Sequence, residues 1–101
     1  MPRALFILTS HARLGDSDTP TGFYWEELAT PYWLLSDAGW TVELASITGG
    51  EPPADPASAE GDALNDDVRR FMADEAAMNQ LRHTTPVDQV EVSGCDIVFL
   101  P

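Results

Sequence analysis

Three short apolar runs divide the chain, and their length and composition suit β-strands. They are residues 4–9 (ALFILT), 41–46 (TVELAS) and 96–100 (DIVFL). Runs that are apolar throughout are typical of parallel strands buried on both faces. One helical segment joins the first two runs and a longer crossover leads to the third, which predicts right-handed connections. We therefore expect an α/β fold: a three-layer sandwich with a flavodoxin-like parallel sheet, strand order 2-1-3.

The helix between the first two runs is predicted from Thr21 to about Ala38. Thr21 is a suitable N-cap, and Gly39 is placed to end the helix. Pro31 lies inside it, where it leaves the carbonyl of Glu27 without its amide partner and favours a kink. This segment, TGFYWEELATPY, carries two adjacent acidic residues near the start of the helix.

Helical periodicity separates the two glutamates. With Leu28 at the centre of the buried face, Glu26 points toward solvent, whereas Glu27 lies about 100° away, at the edge of that face. There a carboxylate can border a cleft while being partly buried, which suits general acid/base chemistry. The alternative is that both are ordinary first-turn glutamates favoured by the helix dipole.

A second helix is predicted from Asp62 to about Arg82, with an apolar stripe and a solvated acidic face. His83 follows it and is interpreted as a C-terminal cap. Residues 47–60 are rich in Gly and Pro and form no phosphate-binding glycine loop. In an open α/β sheet the ligand crevice lies beyond the carboxyl ends of the strands. The loop of residues 10–20 and the start of the first helix should border it.

Composition excludes several classes of partner. The 101 residues carry a net charge of −12, with five arginines and no lysine, which argues against nucleic acid and anionic membranes. Cys95 is the single cysteine, so neither an internal disulfide nor a cysteine-based metal cluster is expected. Two histidines far apart in sequence give no metal-ligand spacing, and no metal is expected. Residues 4–8 are too short to span a membrane or form a signal core, and we expect a cytoplasmic protein.

The order of these motifs resembles a known family. FILTSH, GD, TGFYWEELATPYWLLSDAGWTVELAS and GGEPPADPAS are similar to the N-terminal half of the ThiJ/PfpI superfamily, the class I glutamine-amidotransferase-like proteins. The nearest branch contains heat-shock chaperones and glutathione-independent glyoxalases. FMADEAAMNQLRHTTPVDQV and DIVFLP also resemble that branch, so the resemblance covers essentially all residues.

The resemblance implies a site. In the family a glutamate of the first helix contacts a nucleophilic cysteine on a later strand-to-helix elbow, and motif matching places that glutamate at Glu27. The resemblance and the crevice rule give the substrate-pocket candidates Ser10, His11, Gly15, Asp16, Thr21 and Gly22. No cofactor is implied. Cys95 precedes the third strand with no following helix, and we interpret it as a partly buried residue at the strand entry.

Two functions compete at this point. In the first, the chain is the N-terminal part of a single ThiJ/PfpI-like domain, residues 1–101, whose C-terminal half is absent. A second polypeptide would then supply the cysteine, the complete domain would form a homo-oligomer, and the enzyme would convert methylglyoxal to lactate or act as a related hydrolase or deglycase.

In the second, the chain belongs to a stress-response chaperone that binds unfolded proteins through apolar surface. The aromatic side chains that could contribute are Tyr24, Trp25, Tyr32, Trp33 and Trp40.

Overall fold

The computed structural model describes residues 2–12 and 20–101. The elements are β1 (Arg3–Leu8), α1 (Trp25–Asp37), β2 (Thr41–Ser46), α2 (Asp66–Ala73), α3 (Glu75–Arg82), β3 (Thr85–Pro86) and β4 (Ile97–Phe99). Short 3₁₀ turns occupy Pro56–Ala59, Gly61–Ala63, Val87–Gln89 and Val92–Gly94.

The strands form one parallel sheet in the order β3-β2-β1-β4. β1 pairs along its whole length with β2, from Arg3 opposite Thr41 to Leu8 opposite Ser46. On its other side β1 pairs with β4, with Phe6 opposite Phe99. The predicted α/β fold, the parallel sheet and the central position of the first strand are confirmed. β3 was not expected, because it has two residues and one of them is a proline.

The core lies between one face of the sheet and the three helices. Alternate residues of β1 and β2 point to this face, as the two-residue period of a strand requires. Ala4, Phe6, Leu8, Val42 and Leu44 all belong to one buried cluster with residues of α1, α2 and α3. Phe71 of α2 is fully buried at its centre, with edge-to-face contacts to Trp25, Tyr32 and Trp33.

α1 starts later than predicted. Tyr24, with extended backbone angles, occupies the N-cap position, and Thr21 lies three residues before it. Residues 21–24 instead contact the chain after β2: Phe23 donates its N–H to Pro53 at 3.0 Å and accepts from Asp55 at 2.8 Å. These long-range bonds hold the segment extended, so local capping preference does not set the helix start. The helix continues through Pro31 and ends before Gly39, whose φ of 91° suits the predicted end.

The predicted second helix is two helices. Asp74 separates α2 from α3, and its ψ of 114° interrupts the helical backbone. Its carboxylate then accepts the N–H of Ala77 at 2.9 Å, as an N-cap of α3. Asn65 caps α2 in the same way, through the N–H of Val68 at 3.0 Å. The prediction of a continuous helix was wrong because an aspartate is compatible with a helix interior but favours a cap.

Candidate functional site

A cleft opens at the carboxyl ends of β1 and β2. It has a volume of about 280 Å³ and is lined by Thr9, Ser10, His11, Ile47 and Thr48. Thr9 and Ile47 directly follow the last residues of their strands, and a parallel sheet brings such residues to one edge. Two of the predicted pocket residues, Ser10 and His11, are thus brought together here.

Backbone hydrogen bonds orient the hydroxyl groups of this cleft. Ser10 Oγ accepts the N–H of Thr48 at 3.0 Å, which links the segment after β1 to the segment after β2. Thr9 Oγ1 accepts the N–H of His11 at 3.1 Å. Each hydroxyl oxygen serves as an acceptor in these bonds, so its own hydrogen can be donated to a ligand. The cleft therefore combines hydroxyl donors and an imidazole with the apolar side chain of Ile47.

A buried network fixes the loop after β2. Ser46 and Thr84 are both buried, and their hydroxyl oxygens lie 2.7 Å apart. Gly49 donates its N–H to Ser46 Oγ at 3.0 Å, and Thr84 Oγ1 donates to the carbonyl of Gly50. Because the single hydroxyl hydrogen of Thr84 is donated to Gly50, the Ser46 hydroxyl must be the donor in its bond with Thr84. This chain of bonds positions the loop that carries Ile47 and Thr48.

Glu27 lies on α1 and is not among the residues that line the cleft. Glu26 is exposed, as predicted, but Glu27 is exposed as well, so the prediction of partial burial was wrong. The buried residues of α1 are Trp25, Leu28, Ala29 and Trp33. At 100° per residue their mean direction is about 75° from Leu28, which puts Glu27 almost opposite the buried face. The predicted phase failed because Leu28 lies at one edge of the buried face and not at its centre.

Gly22 has a packing reason to be glycine. A Cβ on Gly22 would lie 2.1 Å from the carbonyl oxygen of Pro53, so the two backbones approach more closely than any side chain permits. Thr21 donates its N–H to the carbonyl of Ala12 at 3.0 Å. Both residues thus position the entry to α1. Gly15 and Asp16, the other predicted pocket residues, lie outside the described residues.

Cys95 and His83 occupy structural positions. Cys95 is half-buried between the 3₁₀ turn Val92–Gly94 and β4, with its sulfur 3.8 Å from the carbonyl oxygen of Glu91. His83 is the C-cap of α3, as predicted, and its Nδ1 lies 2.8 Å from the carbonyl oxygen of Asn79. Across residues 2–12 and 20–101, no three His, Cys, Asp or Glu side chains group as metal ligands.

A second cleft, also of about 280 Å³, lies on the outer surface between α1 and α2. The guanidinium carbon of Arg70 lies 3.7 Å from the centre of the Trp33 ring. The N–H groups of both terminal nitrogens of Arg70 donate to the Asp37 carboxylate at 2.8 Å. The hydrogen bond from Arg70 holds the pKa of Asp37 below its usual range. Thr30 donates to the Asp67 carboxylate at 2.8 Å, and Trp33 Nε1 donates to the Asp67 carbonyl at 3.1 Å. These groups bind one another and join the two helices.

The aromatic side chains considered for chaperone-type binding are mostly core residues. Trp25 and Trp33 are buried, Tyr32 and Trp40 are half-buried, and Tyr24 is exposed. Burial raises the pKa of the Tyr32 hydroxyl, with a further contribution from the charge of Asp74. Among the described residues, no helix has the length and apolar composition needed to cross a lipid bilayer.

Sequence reasoning missed Thr9, Ile47 and Thr48 as cleft residues. The sequence predicts Thr9 within the first strand, but the strand ends at Leu8. For the loop after the second strand, the sequence analysis considers only a phosphate-binding glycine loop. The signal was available: in a parallel sheet, the residues that follow two adjacent strands lie at the same edge.

Comparison with known proteins places the chain by fold. Rapid Encystment Protein 24 KDa of Francisella tularensis matches 99% of this chain and 44% of its own, at 30% identity and a TM-score of 0.90. A glyoxalase III from Candida albicans matches 96% of this chain and 41% of its own, at 24% identity and a TM-score of 0.78. A further solved structure is 34% identical, with a TM-score of 0.75 over 99% of this chain and 41% of its own. No family model and no curated protein matches the chain.

The chain therefore spans less than half of the length of these solved proteins while almost all of it is matched. The matches show that the chain has the same fold as the corresponding part of each of these proteins.

Proposed function

We propose that this chain is the N-terminal part of a cysteine-dependent enzyme of the ThiJ/PfpI type that acts on small reactive carbonyl compounds. A second polypeptide would supply the nucleophilic cysteine, and Glu27 would be the acid/base residue. The observation that carries the proposal is the fold match to glyoxalase III over 96% of this chain but 41% of that one. The motif resemblance, which aligns Glu27 with the family glutamate, supports it.

The proposed reaction is an internal redistribution of hydrogen. The partner's thiolate attacks the aldehyde carbon of methylglyoxal and forms a hemithioacetal. Glu27 removes the proton from that carbon to give an enediolate and returns it to the neighbouring carbon, while the hydroxyl proton passes to the oxygen on that neighbouring carbon, which leaves a thioester of lactate. Water then releases lactate and restores the thiol. Oxidation at one carbon balances reduction at the next, so the overall change is the addition of one water molecule.

The proposal gives separate roles to Glu27 and to the cleft, which Glu27 does not line. Glu27 is exposed on the side of α1 opposite the core, so its carboxylate is accessible to a group from another polypeptide. In the proposal Ser10 and His11 bind the substrate from the cleft at the end of β1, with the Ser10 hydroxyl donating to a carbonyl oxygen. A volume of about 280 Å³ suits a small molecule.

Hydrolysis or deglycation by the same pair of residues is a variant of this proposal. The alternative is a non-enzymatic stress-response chaperone of the same fold, but most of the aromatic side chains it would use are at least half-buried. We propose a cytoplasmic location, and a homo-oligomer for the complete domain.

The proposal is tested by reconstitution. The chain is mixed with the part of the Francisella tularensis protein that this chain does not match, which is produced as a separate polypeptide. Lactate is measured after methylglyoxal is added. A mixture in which each cysteine of the added polypeptide is replaced by serine is the control. We expect lactate only from the cysteine-containing mixture. Equal lactate from both mixtures, or none from either, contradicts the proposal.

A further inference from the structure

Ile47 is an exposed apolar side chain on a fixed backbone. It directly follows β2, and its side chain is 53% exposed in the cleft that it lines together with Ser10 and Thr48. Its N–H donates to the carbonyl of Leu8 at 3.3 Å, which extends the pairing of β1 with β2 by one bond. An apolar side chain in contact with water gains free energy when a ligand covers it. Ile47 thus offers a ligand an apolar contact inside the cleft.

Hydrogen bonds on both sides of Ile47 hold it in place before any ligand binds. Before it in the chain, Ser46 is fully buried, and its hydroxyl oxygen lies 2.7 Å from that of Thr84. After it, Thr48 donates its N–H to Ser10 Oγ at 3.0 Å. Ordering a loop on binding costs affinity, and a residue that is already held in position avoids that cost. The apolar surface of Ile47 is therefore available without a rearrangement of the loop.

The cleft is polar around Ile47 but contains no acidic group: none of the five described residues that line it is an aspartate or a glutamate. A ligand cation therefore finds no carboxylate among these residues, while the net charge of −12 disfavours an anion at long range. The hydroxyl groups of Thr9 and Ser10 accept backbone N–H groups and keep their own hydrogens for donation. The cleft thus suits a neutral compound with carbonyl oxygens for the hydroxyl groups and an apolar group for Ile47.

We propose that Ile47 is the specificity-determining residue of this cleft and selects neutral dicarbonyl compounds that carry an alkyl group over those that do not. The inference rests on the proposed function for the reaction itself. Methylglyoxal and glyoxal differ by one methyl group. In the proposed complex this methyl group packs against Ile47, while the neighbouring carbonyl oxygen accepts a hydrogen bond from Ser10. A group of this size in an apolar site changes kcat/KM by roughly ten-fold or more.

Substitution of Ile47 should change the choice between the two substrates. In the mixture of this chain with the separate Francisella tularensis polypeptide, kcat/KM is measured for methylglyoxal and for glyoxal. We expect Ile47→Thr, which stays β-branched but loses apolar surface, to lower the ratio of the two values about five-fold or more. Ile47→Val, which stays apolar, should keep the ratio within about two-fold of that of the parent chain.

Leu34 provides the matched control. It lies on the outer surface of α1, away from the cleft, and is exposed to 71%. Leu34→Thr removes apolar surface from an exposed position as Ile47→Thr does, and it should leave the ratio unchanged. Because both side chains are largely exposed, neither variant should disturb the fold, which circular dichroism verifies. An unchanged ratio in Ile47→Thr, or equal changes in Ile47→Thr and Leu34→Thr, would overturn the assignment of Ile47.

Binding without turnover tests the same contact independently. The sample is the mixture in which each cysteine of the added polypeptide is replaced by serine. The probes are hydroxyacetone, a neutral methyl ketone, and dihydroxyacetone, which has a hydroxymethyl group in place of that methyl group. We expect hydroxyacetone to shift the NMR signals of the Ile47 methyl groups and to bind about three-fold or more tightly than dihydroxyacetone. Ile47→Thr should remove that preference.

Selectivity and function fail separately in this design. A preference for hydroxyacetone that depends on Ile47, without lactate from the cysteine-containing mixture, would uphold the role of Ile47 and contradict the proposed enzyme. Formation of lactate with an unchanged substrate ratio in Ile47→Thr would do the reverse. Equal binding of the two probes, or no shift of the Ile47 signals, would also overturn the assignment of Ile47.

Discussion

Glu26 and Glu27 are adjacent, both exposed and both in the first turn of α1, so Glu26 is a matched control for Glu27. In the reconstituted enzyme we expect Glu27→Gln to lower the rate of lactate formation about a hundred-fold or more, because glutamine cannot carry the proton. Glu26→Gln should leave the rate almost unchanged. Both variants should unfold at the same urea concentration as the parent chain. Similar losses from the two substitutions would contradict the assignment of Glu27.

Phe71 is the residue on which the aromatic core depends. It is fully buried and contacts Trp25, Tyr32 and Trp33. We expect Phe71→Ala to lower the free energy of unfolding by about 3–5 kcal/mol, through lost apolar burial and the cavity left behind. Leu34→Ala, at an exposed position of α1, should change it by no more than about 0.5 kcal/mol. Urea unfolding followed by tryptophan fluorescence measures both, and equal effects would contradict the core assignment.

At the scale of elements, Asp74 both ends α2 and caps α3. Asp74→Ala removes the acceptor of the Ala77 N–H, and we expect a loss of about 1 kcal/mol in the free energy of unfolding. Asp66→Ala is the matched control, since its carboxylate is fully exposed and lies 3.4 Å from Arg69, a contact that contributes little. Thermal unfolding of the two variants should separate them. If the chain continued as one helix through residue 74, Asp74→Ala would stabilise it.

The contact between α1 and α2 should be pH-dependent through Asp37. Because Arg70 lowers the folded-state pKa of Asp37, its contribution to stability is present above the unfolded pKa and is lost as pH falls through the lower, folded value. We expect the unfolding midpoint to decrease below about pH 4 and Asp37→Asn to remove part of that decrease. Measurement of the midpoint between about pH 2 and pH 6 tests this. An identical pH profile for the variant would show that the pair does not couple to folding.

At the scale of the whole molecule, the net charge of −12 dominates the long-range electrostatics. Like charges repel most strongly in the compact state, so screening should stabilise the fold. We expect the urea midpoint to rise when sodium chloride is increased from about 0.01 M to about 0.5 M, over which the Debye length falls well below the size of the molecule. An uncharged osmolyte at equal osmolality is the control. A midpoint that is constant or falls with salt would contradict this interpretation.

Local pattern in the sequence was sufficient for the α/β class, for the parallel arrangement of residues 4–9, 41–46 and 96–100, and for the end of α1 before Gly39. These features depend on apolar period and on the backbone freedom of glycine, which are local properties. The resemblance to a family added the assignment of Glu27, and the crevice rule led to Ser10 and His11.

The tertiary structure decided the features that depend on residues distant in sequence. Pro53 and Asp55 hold residues 21–24 extended and delay α1, and the burial of Trp25 and Trp33 rotates the helix so that Glu27 faces outward. The Ser46–Thr84 contact places the loop of Ile47 and Thr48 beside Ser10. Each of these outcomes is a choice between nearly equal local conformations, and contacts formed across the fold supply the free energy that selects one of them.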